Sequence, residues 1–495
     1  MARLATHYLG PQAYERLVAE RNELASGHVR WERITGFHER LTSREFHITD
    51  GAQARVQGWM TSDRLPTSRL DLPRYVVGGG RVVEATKDVF RSGPQHVPPK
   101  LGETTRACVI CENRQRENVE AFLHRLRDGI GAHRSLSSSW RIANLQWSVF
   151  GAASSSATAY EDACRSAFDS SSEWNLALVQ VPDVSAEYSG DANPYLVTKA
   201  KFLARGIPVQ EFREETMQKP IEQLQWALGG ISLQIFAKLG GTPWLLRCED
   251  PAHEVVLGLG SAQLGTGRFG ARERIVGLTT AFSGDGAYWL TEASRTVSYD
   301  HHEEAVGVTA VAAISRIREK MAWARGDRVR IIFHSFKDFR GAHVDKIRQQ
   351  VSSLESDGFK IETAFLHLVE RQPILLFDLR DKHCIAPRGL QLSLGDREAL
   401  ISLLGPEEVR RERTGFPRPL LVKLHEGSSF TNMNYLCAQA LAFASSSWRN
   451  FGPTSLPITI LYADLIAGLL GRMGDLTRWD PDILRGQVDD TRWFL

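Results

Sequence analysis

The 495-residue chain is poor in three things, and each shortage excludes a class of protein. It has six cysteines, too few in this length for a disulfide framework, so they read as reduced and mostly buried thiols. It has almost no net charge. Lys plus Arg total 60 against 58 Asp plus Glu, a formal +2, which excludes nucleic-acid binding through bulk positive charge. A local basic site stays open, because an anion responds to the nearest cluster and not to the sum. Long apolar runs are also scarce. Residues Met1 to Tyr14 lack the apolar stretch of a signal peptide. Leu456 to Leu470 is too short to span a bilayer and carries Asp464 inside it. The expectation is a cytoplasmic protein with no membrane contact.

What is present is ordinary globular composition, 42% apolar and 24% charged, in a length that suggests about three domains. Tyr14 to Leu24 has helical apolar spacing. Pro66, Pro73, Gly78 to Gly80, Gly93-Pro94 and Pro98-Pro99 then mark turns and a linker, which puts a first boundary near residue 100. After it, strand and helix patterns alternate. Arg106–Cys111 and Asn175–Val181 read as buried strands, and Gln115–Leu126, Leu196–Arg205 and Pro220–Leu239 as helices, with serine-rich loops at 135–139, 154–156 and 170–172. Pro220 suits a first turn and Gly240 a helix stop. Such alternation favours a parallel sheet with helices on both faces.

Beyond residue 250 the pattern predicts strands at 255–259, 274–279, 287–290, 328–333, 360–367 and 373–378. Helices are expected at 303–325, 344–354, 435–443 and 459–473. The domains expected are an extension and linker at 1–100, a second domain at 101–245 and a third at 246–495.

Three motifs attract attention and have simpler readings. Gly258-Leu259-Gly260 with Gly265 follows a strand like a dinucleotide loop, but Gly267 and Gly270 break the helix that should open next. Cys108 and Cys111 form a CxxC inside an apolar strand with no second pair nearby, the setting of buried structural thiols. Asp300-His301-His302-Glu303-Glu304 looks metal-like but reads better as a helix start, with Asp300 as cap and acids in the first turn.

Two helical spacings are more informative. Tyr195 and Lys199 are i,i+4, and so are Gln234 and Lys238, so each pair shares one helix face. With Gln210 they supply two cations, two amides and a phenol, an inventory suited to a terminal phosphate. Spacing alone is equally met by solvated helix faces.

The order Tyr195-x3-Lys199, Gly206-Ile207-Pro208-x-Gln210, Gln234-x3-Lys238 and Lys238-Leu239-Gly240-Gly241-Thr242-Pro243-Trp244 resembles the MID domain of prokaryotic Argonaute proteins. Tyr75-Val76-Val77-Gly78-Gly79-Gly80 with Gly93-Pro94 is similar to the segment that precedes MID. Leu456-Pro457 with Tyr462-Ala463-Asp464 is similar to the closing PIWI motif. The resemblance covers about residues 70–495. It implies an α/β chain with a Rossmann-like MID domain and an RNase H-like PIWI domain, preceded by a small α+β extension. The length leaves no room for a PAZ domain, so a short Argonaute is expected.

The resemblance further implies that Tyr195, Lys199, Gln210, Gln234 and Lys238 bind a guide 5′-phosphate. A magnesium ion would bridge it to Gln234 and the carboxylate of Leu495. Slicing PIWI domains hold two metal ions with carboxylates. Here Gly260 and Phe336 stand at two of those positions and Asp464 at a third, so an inactive domain is expected, with an active guide-directed endonuclease as the alternative. A nucleotide-binding enzyme unrelated to guides is a weaker third reading. His334, Lys337 and Arg340, with Ser428, Ser429, Asn432 and Asn434, are candidate duplex contacts. The implied partners are a guide RNA, a complementary single-stranded DNA and an effector protein in a heterodimer. That effector would bear a PAZ-like analogue and a TIR, sirtuin-like or nuclease domain, and the role would be defence against invading nucleic acid.

Overall fold

The computed structural model describes residues 10–479 and 492–495, apart from 43, 58–64, 172, 184–187, 249–252, 265–273, 295–296, 299–300, 340 and 410–415. Four parallel strands open the first α/β unit: β1 (Thr104–Glu112), β2 (Asn144–Ala152), β3 (Leu176–Val181) and β4 (Val209–Arg213). Their order is β4-β3-β1-β2. The two central strands are apolar without alternation because helices cover both faces. All six residues of β3 are buried. The helices are α1 (Arg116–Asp128), α2 (Ala157–Ser170), α3 (Pro194–Leu203) and α4 (Ile221–Lys238).

Of the serine-rich stretches, 154–156 is a loop as expected, whereas 135–139 is mostly helical. Ser135 caps a short helix at Leu136–Trp140 and Ser156 caps α2, each side chain accepting a backbone N–H of the first turn. The edge strand β2 and helix α2 are absent from the sequence reading altogether. The end of α4 is as expected. Gly240 has φ +92°, its N–H donates to the Ala237 carbonyl, and the Gly241 N–H donates to that of Phe236, a Schellman stop.

The second unit is built on a mixed sheet. Its members are β5 (His253–Leu264), β6 (Arg274–Ser283), β7 (Tyr288–Ala293), β8 (Arg328–Ser335), β9 (Lys360–Val369), β10 (Leu390–Gly395), β11 (Glu398–Ile401) and β12 (Leu420–Leu424). They run in the order β7-β6-β5-β8-β9-β12-β11-β10, and Thr67–Arg69 adds an outer strand beside β10. The centre, β5-β8-β9, is parallel. Helices α5 (His302–Lys320) and α6 (Gly341–Ser356) cover one face, and α7 (Met433–Phe443) and α8 (Ile458–Met473) belong to the other.

Residues 373–378 form no strand; Phe377 makes only an isolated bridge to Ile385. Helix α5 opens with His301 as its cap, without a side-chain bond, and Asp300 lies outside the described residues, as do Gly265, Gly267 and Gly270. The stretch before residue 100 is not a separate unit. Tyr75–Val77 pairs with Leu245–Leu246, and Thr67–Arg69 is stitched to the large sheet. It begins with helices at Pro11–Ala25 and Gly27–Thr42 and a hairpin of Glu45–Thr49 with Ala52–Arg55.

Strand β5 shows how the core is divided. Val255, Leu257 and Leu259 point to the cluster under α5 and α6, whereas Val256 points to the cluster shared with the first unit. Gly258 and Gly260 are on the same face as Val256, and α8 lies directly on them. A Cβ at Gly258 would stand 2.1 Å from the Thr459 carbonyl oxygen, and one at Gly260 would stand 3.1 Å from the Ala463 Cβ. Gly258 is therefore a packing device in mid-strand, where only a missing side chain lets the helix approach, and Gly260 is a tight but less strict contact. Among the described residues, no helix is long and apolar enough to cross a membrane.

Candidate nucleic-acid interface

Asn193 caps α3 by accepting the N–H groups of Tyr195 and Leu196, so Tyr195 sits in the first turn and Lys199 one turn on. Strand β4 brings Gln210 beside them, and α4 brings Gln234 and Lys238 near its C-terminus. The Lys238 Nζ donates to Gln210 Oε1 at 2.8 Å. The Lys199 Nζ lies 5.4 Å from the centre of the Tyr195 ring. The Gln234 Nε2 donates to the Arg449 carbonyl, leaving its own carbonyl oxygen for another partner. Tyr195, Lys199, Gln210 and Lys238 thus gather in one buried cluster, and Gln234 is joined to it through its bond to Arg449.

Three members escaped the sequence reading. Glu211, next to Gln210, acts on Tyr195 and Lys199 through its charge and has a buried Oε2 with no partner. Arg449, from the loop after α7, and Arg472, from the end of α8, act on Tyr195 and Lys199 through their charge. The Arg472 guanidinium lies 5.8 Å from the Tyr195 ring centre. No local spacing announces either arginine, since both come from the other unit.

Among the described residues, four cations (Lys199, Lys238, Arg449, Arg472) face one carboxylate, Glu211. Burial pulls the Lys199 ammonium down to about 8, with Glu211 opposing the fall and Arg472 and Arg449 adding to it. Burial and then the neighbouring Lys199 hold Lys238 well below its ordinary value. Burial, then Glu211, drives the Tyr195 phenol well above 10. Basic side chains thus outnumber the one carboxylate named here, and the two buried ammonium groups are the ones whose charge burial disfavours.

A second constellation lies at the C-terminal ends of β5 and β8. Gly260, Phe336 and Asp464 line one cavity, together with the exposed Lys337. Asp464 is exposed at its mouth. His334 does not belong to the surface. It is fully buried, its Nδ1 is 2.8 Å from the Thr459 hydroxyl, and burial drives its imidazole down to about 3, so it is a neutral core residue and no duplex contact. Arg340 lies outside the described residues. Ser428 and Ser429 spend their hydroxyls on the backbone of β9, while Asn432 caps α7 and Asn434 accepts a bond from Gln391. Cys108 and Cys111 are buried in β1, and burial raises both thiols. No group of three or more His, Cys, Asp or Glu placed to hold a metal occurs among the described residues.

Fold and pocket together define a class. This is a two-unit α/β protein with a cluster of buried lysines between a Rossmann-like parallel sheet and an RNase H-like mixed sheet. No family model matches the chain. Over 436 residues, 83% of the chain, it is 30% identical to a Protein argonaute of Cereibacter sphaeroides and spans 56% of that relative. It is 20% identical over 444 residues to a Piwi protein of Archaeoglobus fulgidus, of which it spans 97%. The structure of Clostridium butyricum Argonaute bound to a guide DNA and a 19-mer target DNA superposes with a TM-score of 0.73 at 16% identity, covering the whole chain and 63% of that protein. Drosophila Piwi superposes at 0.61, covering 86% of this chain and 56% of that one. The chain is a homologue of the Argonaute and Piwi proteins and has their MID–PIWI fold.

Proposed function

We propose that this protein binds a guide strand by its 5′-phosphate and uses the guide to recognise a complementary strand without cutting it. The pocket of Lys199, Lys238, Arg449 and Arg472 around Tyr195, Gln210 and Gln234 carries the first half of this reading. A terminal phosphate would supply negative charge to the buried Lys199 and Lys238, with the exposed Arg449 and Arg472 beside them. Base pairing would then read sequence, while the protein holds backbones.

The second half rests on the cavity at Gly260. Two-metal hydrolysis needs several carboxylates at one point. Of the three mapped positions only Asp464 carries one, Phe336 offers a ring, and Ala463 already fills the space beside Gly260. A lone carboxylate cannot hold two metals.

The donor set also suits one magnesium at the phosphate. The carbonyl oxygen of Gln234 is open to a ligand, and Trp493 to Leu495 are buried rather than loose. Gln234 and the carboxylate that Leu495 carries when it ends the chain would hold the ion, alongside phosphate oxygens and water. The ion would add charge neutralisation there.

The guide is proposed to be RNA and the target single-stranded DNA. The output is proposed to come from an effector partner in prokaryotic defence, as the family resemblance implies. Leu17, Leu24 and Phe37, exposed on the first two helices, offer apolar surface for such a partner. The test uses purified protein with 5′-phosphate and 5′-hydroxyl guides of RNA and of DNA, then matched and scrambled targets. Tight, phosphate-dependent loading with matched-target binding and intact target is expected. Cleaved target with magnesium would overturn the inactive reading, and indifference to the 5′ group would overturn the pocket.

A further inference from the structure

The cavity that holds Gly260, Phe336 and Asp464 is about 120 Å³. That is near the ~150 Å³ of an apolar cavity known to take up a benzene ring, so it fits one flat ring. Its floor is Gly260 and Ala463, small because α8 crosses β5 there, and Phe336 and Phe339 supply aromatic walls. Its mouth is not apolar. Asp464, Ser261 and Lys337 are among its lining residues, and Asp464 and Lys337 are exposed. It opens at the carboxyl ends of the adjacent parallel strands β5 and β8, the place where open α/β sheets take ligands.

We propose that this cavity receives a single nucleobase turned out of the bound nucleic acid, an inference that rests on the function proposed above. The ring enters between Phe336 and Phe339, an exocyclic amine donates to Asp464, and the nucleotide's phosphate meets Lys337. An aliphatic or phenyl side chain from a protein would match the walls but offer the Asp464 carboxylate no donor. A base satisfies all three features at once. A carboxylate accepts from the amines of cytosine, adenine and guanine but finds none on uracil or thymine, so the site prefers amino-bearing bases. Burying the ring against two aromatic walls offsets the cost of unstacking it.

The experiment places 2-aminopurine at each position in turn of the target and of the guide, and reads fluorescence in the loaded ternary complex. The expected result is a several-fold rise at one position, where the analogue leaves the stack. Ala467→Phe, which fills the cavity, should abolish that rise while matched-target affinity holds within about two-fold. Asp464→Leu, at an exposed site that folding does not depend on, should remove the preference for amino-bearing bases there. Matched targets that bind with no position brightening would overturn the inference, as would brightening that survives both substitutions. Failure of matched targets to bind at all would instead overturn the function on which it rests.

Discussion

Replacing Lys199 by methionine should make the free protein more stable and its guide binding weaker. The ammonium is buried, and burial has brought it from 10.5 to about 8. At about 1.4 kcal/mol per tenfold in proton affinity, keeping it charged at pH 7 costs roughly 3 kcal/mol, part of which its contact with the Tyr195 ring returns. Methionine keeps the length of the stem and removes the charge. Between pH 8 and 10.5 the unfolded chain holds the proton that the folded chain has released, so wild-type stability from this group rises with pH across that window. The variant's advantage should therefore be largest near pH 7 and shrink steadily above pH 8, falling well below half by about pH 10.

Guide binding should respond the other way. A charge-assisted hydrogen bond is worth about 1.5–3 kcal/mol, so a 5′-phosphorylated guide should bind about 10- to 150-fold more weakly, with little change for a 5′-hydroxyl guide. Thermal melts from pH 7 to 10 and titrations with both guides measure all of this. A variant that melts lower at pH 7, or that loses both guides equally, would refute the idea of a strained cationic pocket awaiting an anion.

Restoring carboxylates with Gly260→Asp and Phe336→Asp should not create a nuclease. The new Cβ at 260 meets Ala463 at 3.1 Å, so the double variant should melt lower and leave labelled target uncut on a gel. His334 titrates near 3 when folded against 6.5 when free, so the unfolded chain gains the proton first and stability should fall as pH drops from 6.5 toward 3. His334→Leu should flatten that acid limb in pH-dependent melts. Arg330 is buried against Glu254, bonds Glu362 and lies over the Phe430 ring. Arg330→Met leaves the Glu254 charge buried and should cost about 3–5 kcal/mol in denaturant unfolding, with no selective loss of 5′-phosphorylated guides.

Much of the site was legible because its parts are local. Tyr195 with Lys199 and Gln234 with Lys238 are one-turn spacings, and the glycine stop at 240 fixes where the second helix ends. Glu211 was adjacent to a named residue but carries no pattern of its own. Arg449 and Arg472 were invisible, since they join the pocket only when the second unit packs on the first. His334 misled for the complementary reason: it follows a strand of continuous apolar residues, and nothing in that run distinguishes its last buried position from its first exposed one. Serine misled as well. Its hydroxyl serves loops and helix caps alike, and Ser135 and Ser156 are caps.

By itself the sequence determined the α/β class, the main helices and central strands, and which basic and amide side chains share a helix face, because periodicity and capping act over a few residues. The tertiary structure decided which of those residues lose their water and so how strongly charged the pocket is. It also decided how close α8 comes to residue 260. The sequence shows only a missing carboxylate. The packed fold puts the Ala463 Cβ 3.1 Å from where a side chain at 260 would begin.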